Sequence, residues 1–552
     1  MTRDSAPTSL RADVLLVSLL VLESLVALRP FVLRFIYSDF LALAVTIHDD
    51  SFYYLVPAFN FKEHWRYTFD GLHATYGFQP LYMLILTALS LFSPSAEIVL
   101  RFGLCLNALL HASTAVILGL IINATLPHVL RPIRYFAALS GTVLYLLGYE
   151  LFFANVVLKE NPLASFLYAL ASLLTISLIS RPHQQRPFVE LYLGGLLGSL
   201  ILTRILPASF LAVFVILITI SLTLPRRSLL RVATALAVPL LLWGVYAETT
   251  LGHLLPTSAL VKGEGILGFL RHWTLLPTAD IVYAFRRYIS GTLRFLCDLH
   301  QPGPLTPLRV ALLLAGFLAL LTSLLVKSWW TRERILQAGL AAASLSGLLA
   351  IPTLLYTRQA ELLYYTWYVF DVPVVCIAMF ATAFGFFLQR LADGPLKRVP
   401  SRLPVGPLLV GVLFLTSSAA VHWTFRHVNV LAEWRYSATE WQHVMARTTL
   451  WFRSTVTLGR DERVGAFNAG LVGLLLPGKV INLDGLANDD IVEHLRKGGR
   501  LADYVRRRRI RYVIDVLPPA YWEKAGISTE VMKIEEFKDR MFPAYYVLRV
   551  LP

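Results

Sequence analysis

Charge is scarce in this chain. Asp, Glu, Lys and Arg make up 15% of its 552 residues and hydrophobic residues 56%, for a mean hydropathy of +0.61. A soluble globular chain carries about 25% charged residues, so this composition points to lipid. Cysteine is scarce too. Cys105, Cys297 and Cys376 are the only three. None has a partner at metal-ligand spacing, which excludes a disulfide framework and a cysteine zinc site. No HExxH or GxSxG pattern occurs, and RVGAFNAG has neither the spacing nor the ending of a nucleotide loop. No metal-ligand motif, certain cofactor or internal repeat is therefore read from the sequence, and a divalent metal is left open. The amino terminus, MTRDSAPTSLRADVLLVSLL, lacks a small-residue cleavage signal and reads as a retained membrane helix.

What the chain does have is apolar runs. A helix needs about 20 apolar residues to cross the hydrocarbon core. Runs near 13–37, 99–125, 135–155, 163–180, 188–203, 207–224, 232–250, 307–326, 335–355, 367–388 and 403–422 give about eleven spans. Arg29 and Arg34 interrupt the first. Residues 80–93 are too short to cross and read as an interfacial or re-entrant helix. The net charge of +15 gathers around Arg131 and Arg134, Arg181 and Arg186, Arg226, Arg227 and Arg231, Lys327, Arg332 and Arg334, and Arg390, Lys397, Arg398 and Arg402. With 80–93 left uncounted, all these clusters share the side of the amino terminus. The positive-inside rule makes that side cytoplasmic. Loops 38–98 and 251–306 and everything after about 423 then lie outside, on a multi-pass cell-membrane protein. The tail changes character. An amphipathic stretch at 430–452 is followed by strand-like RVGAF, KVINLDGL, RYVIDVL and YYVLRVL, with helix-like DDIVEHLRKGG and LADYVRRRRI between them. The expected architecture is a polytopic α-helical bundle over 1–422 and a small exterior α/β domain over 423–552.

One stretch spends charge where the chain otherwise avoids it. HDDSFYYL (48–55) sets Asp49 and Asp50 side by side just past the first span, ahead of a helix-patterned segment that ends at Trp65. Asp49 or Asp50 would stand at the amino terminus of that helix, where the dipole favours an ionised carboxylate. Such a carboxylate at the lipid–water boundary suits general-base catalysis. One aspartate is explained equally by helix capping; the second is not.

HDDSFYYL, followed by YTFDGLHATYGFQPLYMLIL (67–86), resembles the C-type (GT-C) membrane glycosyltransferases. The arabinofuranosyltransferase-like and dolichyl-mannosyltransferase-like bacterial members are the nearest in kind. Here TYGFQPLY carries Gln79 and Tyr82 where those relatives often have His or Asn and Trp, a departure that bears on donor or acceptor preference. GAFNAG and NLDGL resemble the exterior domain of the same relatives. The resemblance implies transfer, with inversion, of a sugar from a polyprenyl-phosphate donor to a lipid, glycan or protein acceptor at the outer face. No nucleic acid is implied as a partner. It maps the base onto Asp49, with Asp50 orienting acceptor or donor.

It also gives roles to other residues. Tyr76 and Gln79 lie in the second element. Lys159 and Glu160 of VVLKENPL are expected at the outer end of the third span, with Glu160 to hold the acceptor or simply to end a helix. Arg204 in its tight turn suits a lipid phosphate, or snorkelling to the interface. Lys262 and Arg358 suit the phosphate leaving group, and Tyr368 beside Trp367 suits stacking on a sugar. Asp484, with Asn482 and Asn488 in NLDGLAND, suits acceptor hydrogen bonding or a turn after a strand. The run Arg506–Arg509 reads as a polar helix face, or as a site for anionic lipid or glycan. A transporter or lipid-glycan flippase is the alternative. It would place its ionisable residues mid-span and show paired repeats, whereas here charge collects in the loops.

Overall fold

The structure is a computed structural model. It describes residues 6–146, 148, 155, 157–180, 186–205, 207–258, 371–393, 437–536 and 544–551.

The first helix, Ala6–Tyr37, runs through Arg29 and Arg34 rather than stopping at them. It bends by about 40° between Arg29 and Phe31, where Pro30 cannot donate to the helical ladder. Its last carbonyls are met from another helix. Arg101 donates to the carbonyls of Phe35 (2.7 Å), Ile36 (3.0 Å) and Ser38 (2.7 Å) while pairing with Glu97. One guanidinium thus closes a helix end and fixes where the first loop begins.

Among the described residues, Ala96–Thr125, Asn161–Ile179 and Arg226–Leu251 are long and apolar enough to cross a membrane, and the bent first helix makes up to a fourth. Pro187–Thr203, Pro207–Thr223 and Asp371–Asp393 are further helices with apolar stretches at expected spans, and Arg131–Leu146 is a helix at another. The runs near 307–326, 335–355 and 403–422 lie outside the described residues. Residues 80–93 do form a short helix, Pro80–Leu91. Among the described residues, Pro187–Thr203 packs closely against Arg226–Tyr246. A Cβ on Gly194 would lie 2.3 Å from the carbonyl oxygen of Val232, and one on Gly198 would lie 2.6 Å from that of Leu236. Only glycines four apart allow backbones this close. At one end of the pair, buried Glu190 accepts from Ser228 (2.7 Å) and Arg231 (2.8 Å).

The carboxy-terminal region begins with the helix Ser437–Thr455. A five-stranded sheet follows: β1 Arg463–Ala466, β2 Val480–Asn482, β3 Ile510–Asp515, β4 Thr529–Glu536 and β5 Ala544–Val550, in the order β2-β1-β3-β5-β4. β1 is parallel to β2 and β3, and β5 is antiparallel to β3 and β4. β4 was not expected from the sequence. TEVMKIEE is half charged, and it survives as a strand because it is an edge, where charge is tolerated and blocks further pairing.

Alternation along the strands sends residues into two cores. Ile481, Val513 and Leu548 pack with Ile491, Tyr504, Val505 and Trp522 from the local helices. Their neighbours Val480, Ile514 and Val547 belong to the same core as the membrane helices, through Met445, Phe452, Leu471 and Val472. The sheet is therefore seated on the bundle rather than tethered beside it.

Candidate active site

The HDDS stretch folds into a 3₁₀ turn, Asp49–Ser51, that feeds directly into the helix Phe52–His64. His48 caps the turn: its Nδ1 accepts from the Asp50 amide at 3.2 Å. Ser51 Oγ donates to the carbonyl of Val157, which holds the turn against the segment carrying Lys159 and Glu160.

The two aspartates then part. Asp49 turns inward and is 2% exposed. Its oxygens accept from the amides of Gly470 (3.1 Å) and Leu471 (2.7 Å), opening the short helix Gly470–Leu475 of the carboxy-terminal region. Both aspartates stand at the amino end of the following helix, as expected, but only Asp50 stays open there. His48 caps that turn, and Asp49 serves a different helix 421 residues away. Burial pushes the Asp49 carboxyl up to about 7, helped by nearby Asp50 and Asp515, and the two amides offset only part of that. Asp50 turns outward, with its side chain 40% exposed, and Lys159 Nζ lies 3.0 Å from its Oδ2. Lys159 is itself 3% exposed, with His48 Nδ1 at 3.4 Å. Burial first and the Lys159 charge second push His48 down to about 4, so its ring is neutral at ordinary pH.

A second cluster adjoins the first through Lys159–Glu160. Arg204 is 1% exposed, so it does not snorkel. Its Nη1 donates to Asn161 Oδ1 at 2.5 Å and lies 3.6 Å from Glu160 Oε1. Tyr54 donates to the other Glu160 oxygen at 2.9 Å. The Gln79 amide donates to Tyr54 Oη at 3.2 Å, and Gln79 Oε1 accepts from the Ile205 amide at 2.7 Å. Gln79 thereby ties the second motif to the residue beside Arg204. Behind it, Asn107 donates to the carbonyl of Lys159 at 3.1 Å and accepts from Tyr82 at 3.0 Å.

The carboxy-terminal region closes over this constellation. Tyr53 Oη donates to the Phe467 carbonyl at 3.2 Å and accepts from the Ala469 amide at 3.2 Å and Asn482 Nδ2 at 3.3 Å. The turn after β2 sits on the second motif so closely that a Cβ on Gly77 would lie 1.6 Å from the Leu486 carbonyl oxygen. Asp484 in that turn accepts from the Leu486 amide at 2.8 Å. Burial pushes its carboxyl up to about 7, with Asp50 and Asp515 adding to the effect.

Asp49, Asp50, Lys159, Glu160, Gln79, Arg204 and Asp484 are thus gathered at one end of the bundle. Tyr76 is fully buried. Its hydroxyl accepts from Trp243 Nε1 at 2.6 Å, which leaves it no open face for a sugar. Asn488 donates to the Asn482 carbonyl and to Tyr504, as a turn residue does. Arg508 and Arg509 pair with Asp490 and Asp461, as a polar face does. Lys262, Arg358 and Tyr368 lie outside the described residues. Among the described residues, no three His, Cys, Asp or Glu side chains are grouped to hold a metal ion. His48, Tyr53, Tyr54 and Asp489 take part in the site or its walls without having been singled out. Their only sequence signal was adjacency to HDD and NLDGLAN.

Residues 431–547 match the model of a domain of unknown function, DUF8728. No curated protein matches the chain. Several solved structures share its fold. The Archaeoglobus fulgidus oligosaccharyltransferase in the apo form is 13% identical, over 90% of this chain and 69% of that one, with a TM-score of 0.54. AglB from the same organism, an archaeal oligosaccharyltransferase in complex with an inhibitory peptide and a dolichol-phosphate, is 11% identical over 91% and 69%, with a TM-score of 0.50. ArnT from Cupriavidus metallidurans in the apo state is 12% identical over 94% and 97%, with a TM-score of 0.51. At these identities the likeness is one of fold alone.

Proposed function

We propose that the chain is a membrane glycosyltransferase. It would move a sugar from a polyprenyl-phosphate-linked donor to a cell-envelope lipid, glycan or protein acceptor, with inversion, in the manner of the arabinofuranosyltransferase-like and dolichyl-mannosyltransferase-like branch. One observation carries the reading. A half-exposed carboxylate, Asp50, is held 3.0 Å from a buried lysine next to a buried arginine–glutamate pair, in a fold that AglB uses with a dolichol-phosphate bound.

The roles follow from exposure. Asp50 is the carboxylate open to a substrate, so it takes the proton of the acceptor hydroxyl as that oxygen attacks the anomeric carbon. The bond from that carbon to the phosphate oxygen breaks, and the polyprenyl phosphate leaves with the electron pair. Fixed cations in a dry site stabilise such a leaving group far more than they would in water. Arg204, buried beside Glu160, takes that task, and Lys262 and Arg358 are assigned to it as well. Lys159 orients Asp50. Glu160 and Gln79 hold Arg204 and its neighbour, and Asp484 faces the acceptor from the carboxy-terminal side. Asp49, with both oxygens on backbone amides, is a positioning residue and not the base.

The test is sugar transfer by the purified full chain from synthetic polyprenyl-phosphate sugars to cell-envelope extracts. Product formation that depends on Asp50 supports the reading. Absence of transfer from every such donor, by protein of proven fold, overturns it.

A further inference from the structure

Asp489 does for the first loop what Asp49 does for the carboxy-terminal region. Its oxygens accept from the Tyr76 amide (3.1 and 3.0 Å) and from Thr257 Oγ1 (2.5 Å). The Thr257 amide in turn donates to the Tyr76 carbonyl at 2.9 Å. Completing this knot is His253, which follows the helix Arg226–Leu251. Its Nε2 lies 3.3 Å from Asp489 Oδ2, and its Nδ1 lies 2.6 Å from the carbonyl oxygen of Leu255. Its ring stacks on Tyr76, with centroids 5.4 Å apart and planes at 24°.

The chemistry of that ring is decided by its two neighbours. A carbonyl oxygen only accepts, so Nδ1 carries a proton. A carboxylate already taken up by Tyr76 and Thr257 also accepts, so Nε2 carries one as well. A neutral imidazole has one N–H and would set a lone pair against one of these oxygens. We propose that His253 is an imidazolium that latches the carboxy-terminal α/β region onto the bundle, so that acid conditions dock this region and alkaline conditions loosen it. The groups facing the ring are Asp489 and Arg496 from the carboxy-terminal side and Tyr76 from the first loop. The hydrogen bond to Asp489 raises the His253 pKa, burial and Arg496 oppose that, and the net shift is upward. With the folded value above the unfolded one, the latch contributes fully below about pH 6.5 and is lost as pH rises through the folded value.

The latch has a short path to the site. Tyr76 lies three residues before Gln79, which holds the Ile205 amide beside Arg204. Loosening it would release the wall of the active site, and this last step rests on the glycosyltransferase reading. The latch itself does not.

Amide hydrogen exchange on the full chain in lipid nanodiscs tests it, read on peptides covering 74–79 and 252–258 and corrected for intrinsic rate. Protection should fall about tenfold between about pH 6 and about pH 9, the worth of one charge-assisted hydrogen bond. His253→Gln should be weakly protected and flat with pH, while His253→Lys, charged across the range, should be protected and flat. A flat profile in the unsubstituted protein overturns the proposal whatever the variants do, as does an unchanged step in His253→Gln. Because the readout is exchange and not turnover, it stands or falls apart from sugar transfer.

Discussion

Asp49 and Gly470 stand 421 residues apart in the chain and are hydrogen-bonded at 3.1 Å in the fold. A Cβ on Gly470 would sit 2.1 Å from the Asp49 carbonyl oxygen, so backbone meets backbone where the first loop enters the carboxy-terminal region. Gly470→Ala must push these apart. Overpacking of this kind costs about 1–3 kcal/mol, and thermal unfolding of the purified protein should show a lower Tm. An unchanged Tm would mean that the contact is looser than the geometry states.

The paired aspartates should separate by assay. Asp50→Asn removes the open carboxylate and should cut turnover by about two to four orders of magnitude, the usual worth of a general base, with little change in Tm. Asp49→Asn keeps one acceptor oxygen but turns an amide toward Gly470 or Leu471. It should lower stability by about 1–3 kcal/mol and turnover less than Asp50→Asn does. The reverse ranking would return the base to Asp49.

Stability should depend on pH through the buried acids. Asp49 and Asp484 both have folded values raised from 3.8 to about 7. Groups raised in this way bind protons more tightly in the folded state. Their contribution is complete below about pH 3.8 and is lost as pH climbs to about 7. Melting curves across that window should show a decline that Asp49→Asn reduces and Asp49→Asn with Asp484→Asn reduces further. A decline of full size in the double variant would assign it to other groups.

Arg204 is predicted to act on the donor. Arg204→Lys keeps a charge opposite Glu160 but loses the planar fork that meets Asn161, Glu160 and a phosphate together. The KM for the polyprenyl-phosphate donor should rise more than that for the acceptor. A change confined to the acceptor would remove Arg204 from the phosphate role.

Orientation is a separate prediction. A cysteine placed on exposed Tyr521 should react with an impermeant reagent in intact cells, and one placed in the basic cluster of Arg390, Lys397, Arg398 and Arg402 should not, as the positive-inside rule predicts. The opposite labelling pattern would invert the topology.

The sequence alone was enough to place this chain in a membrane, because low charge and apolar runs of spanning length are additive properties of composition. It located most of the described helices, marked 80–93 as too short to cross, and read an α/β pattern in the tail, since periods of 3.6 and 2 are local. HDDSFYYL stood out for the same reason: side-by-side carboxylates are conspicuous against an apolar background. Local pattern could not say which carboxylate opens to a substrate. That depends on Gly470 and Leu471 arriving from the far end of the chain to claim Asp49, and on buried Lys159 meeting Asp50. Nor could it show that Tyr76 is walled in by Trp243 and Asp489, or that His253 lies between two acceptors. Burial, partner and protonation are set by contacts distant in sequence, and only the folded chain brings those contacts together.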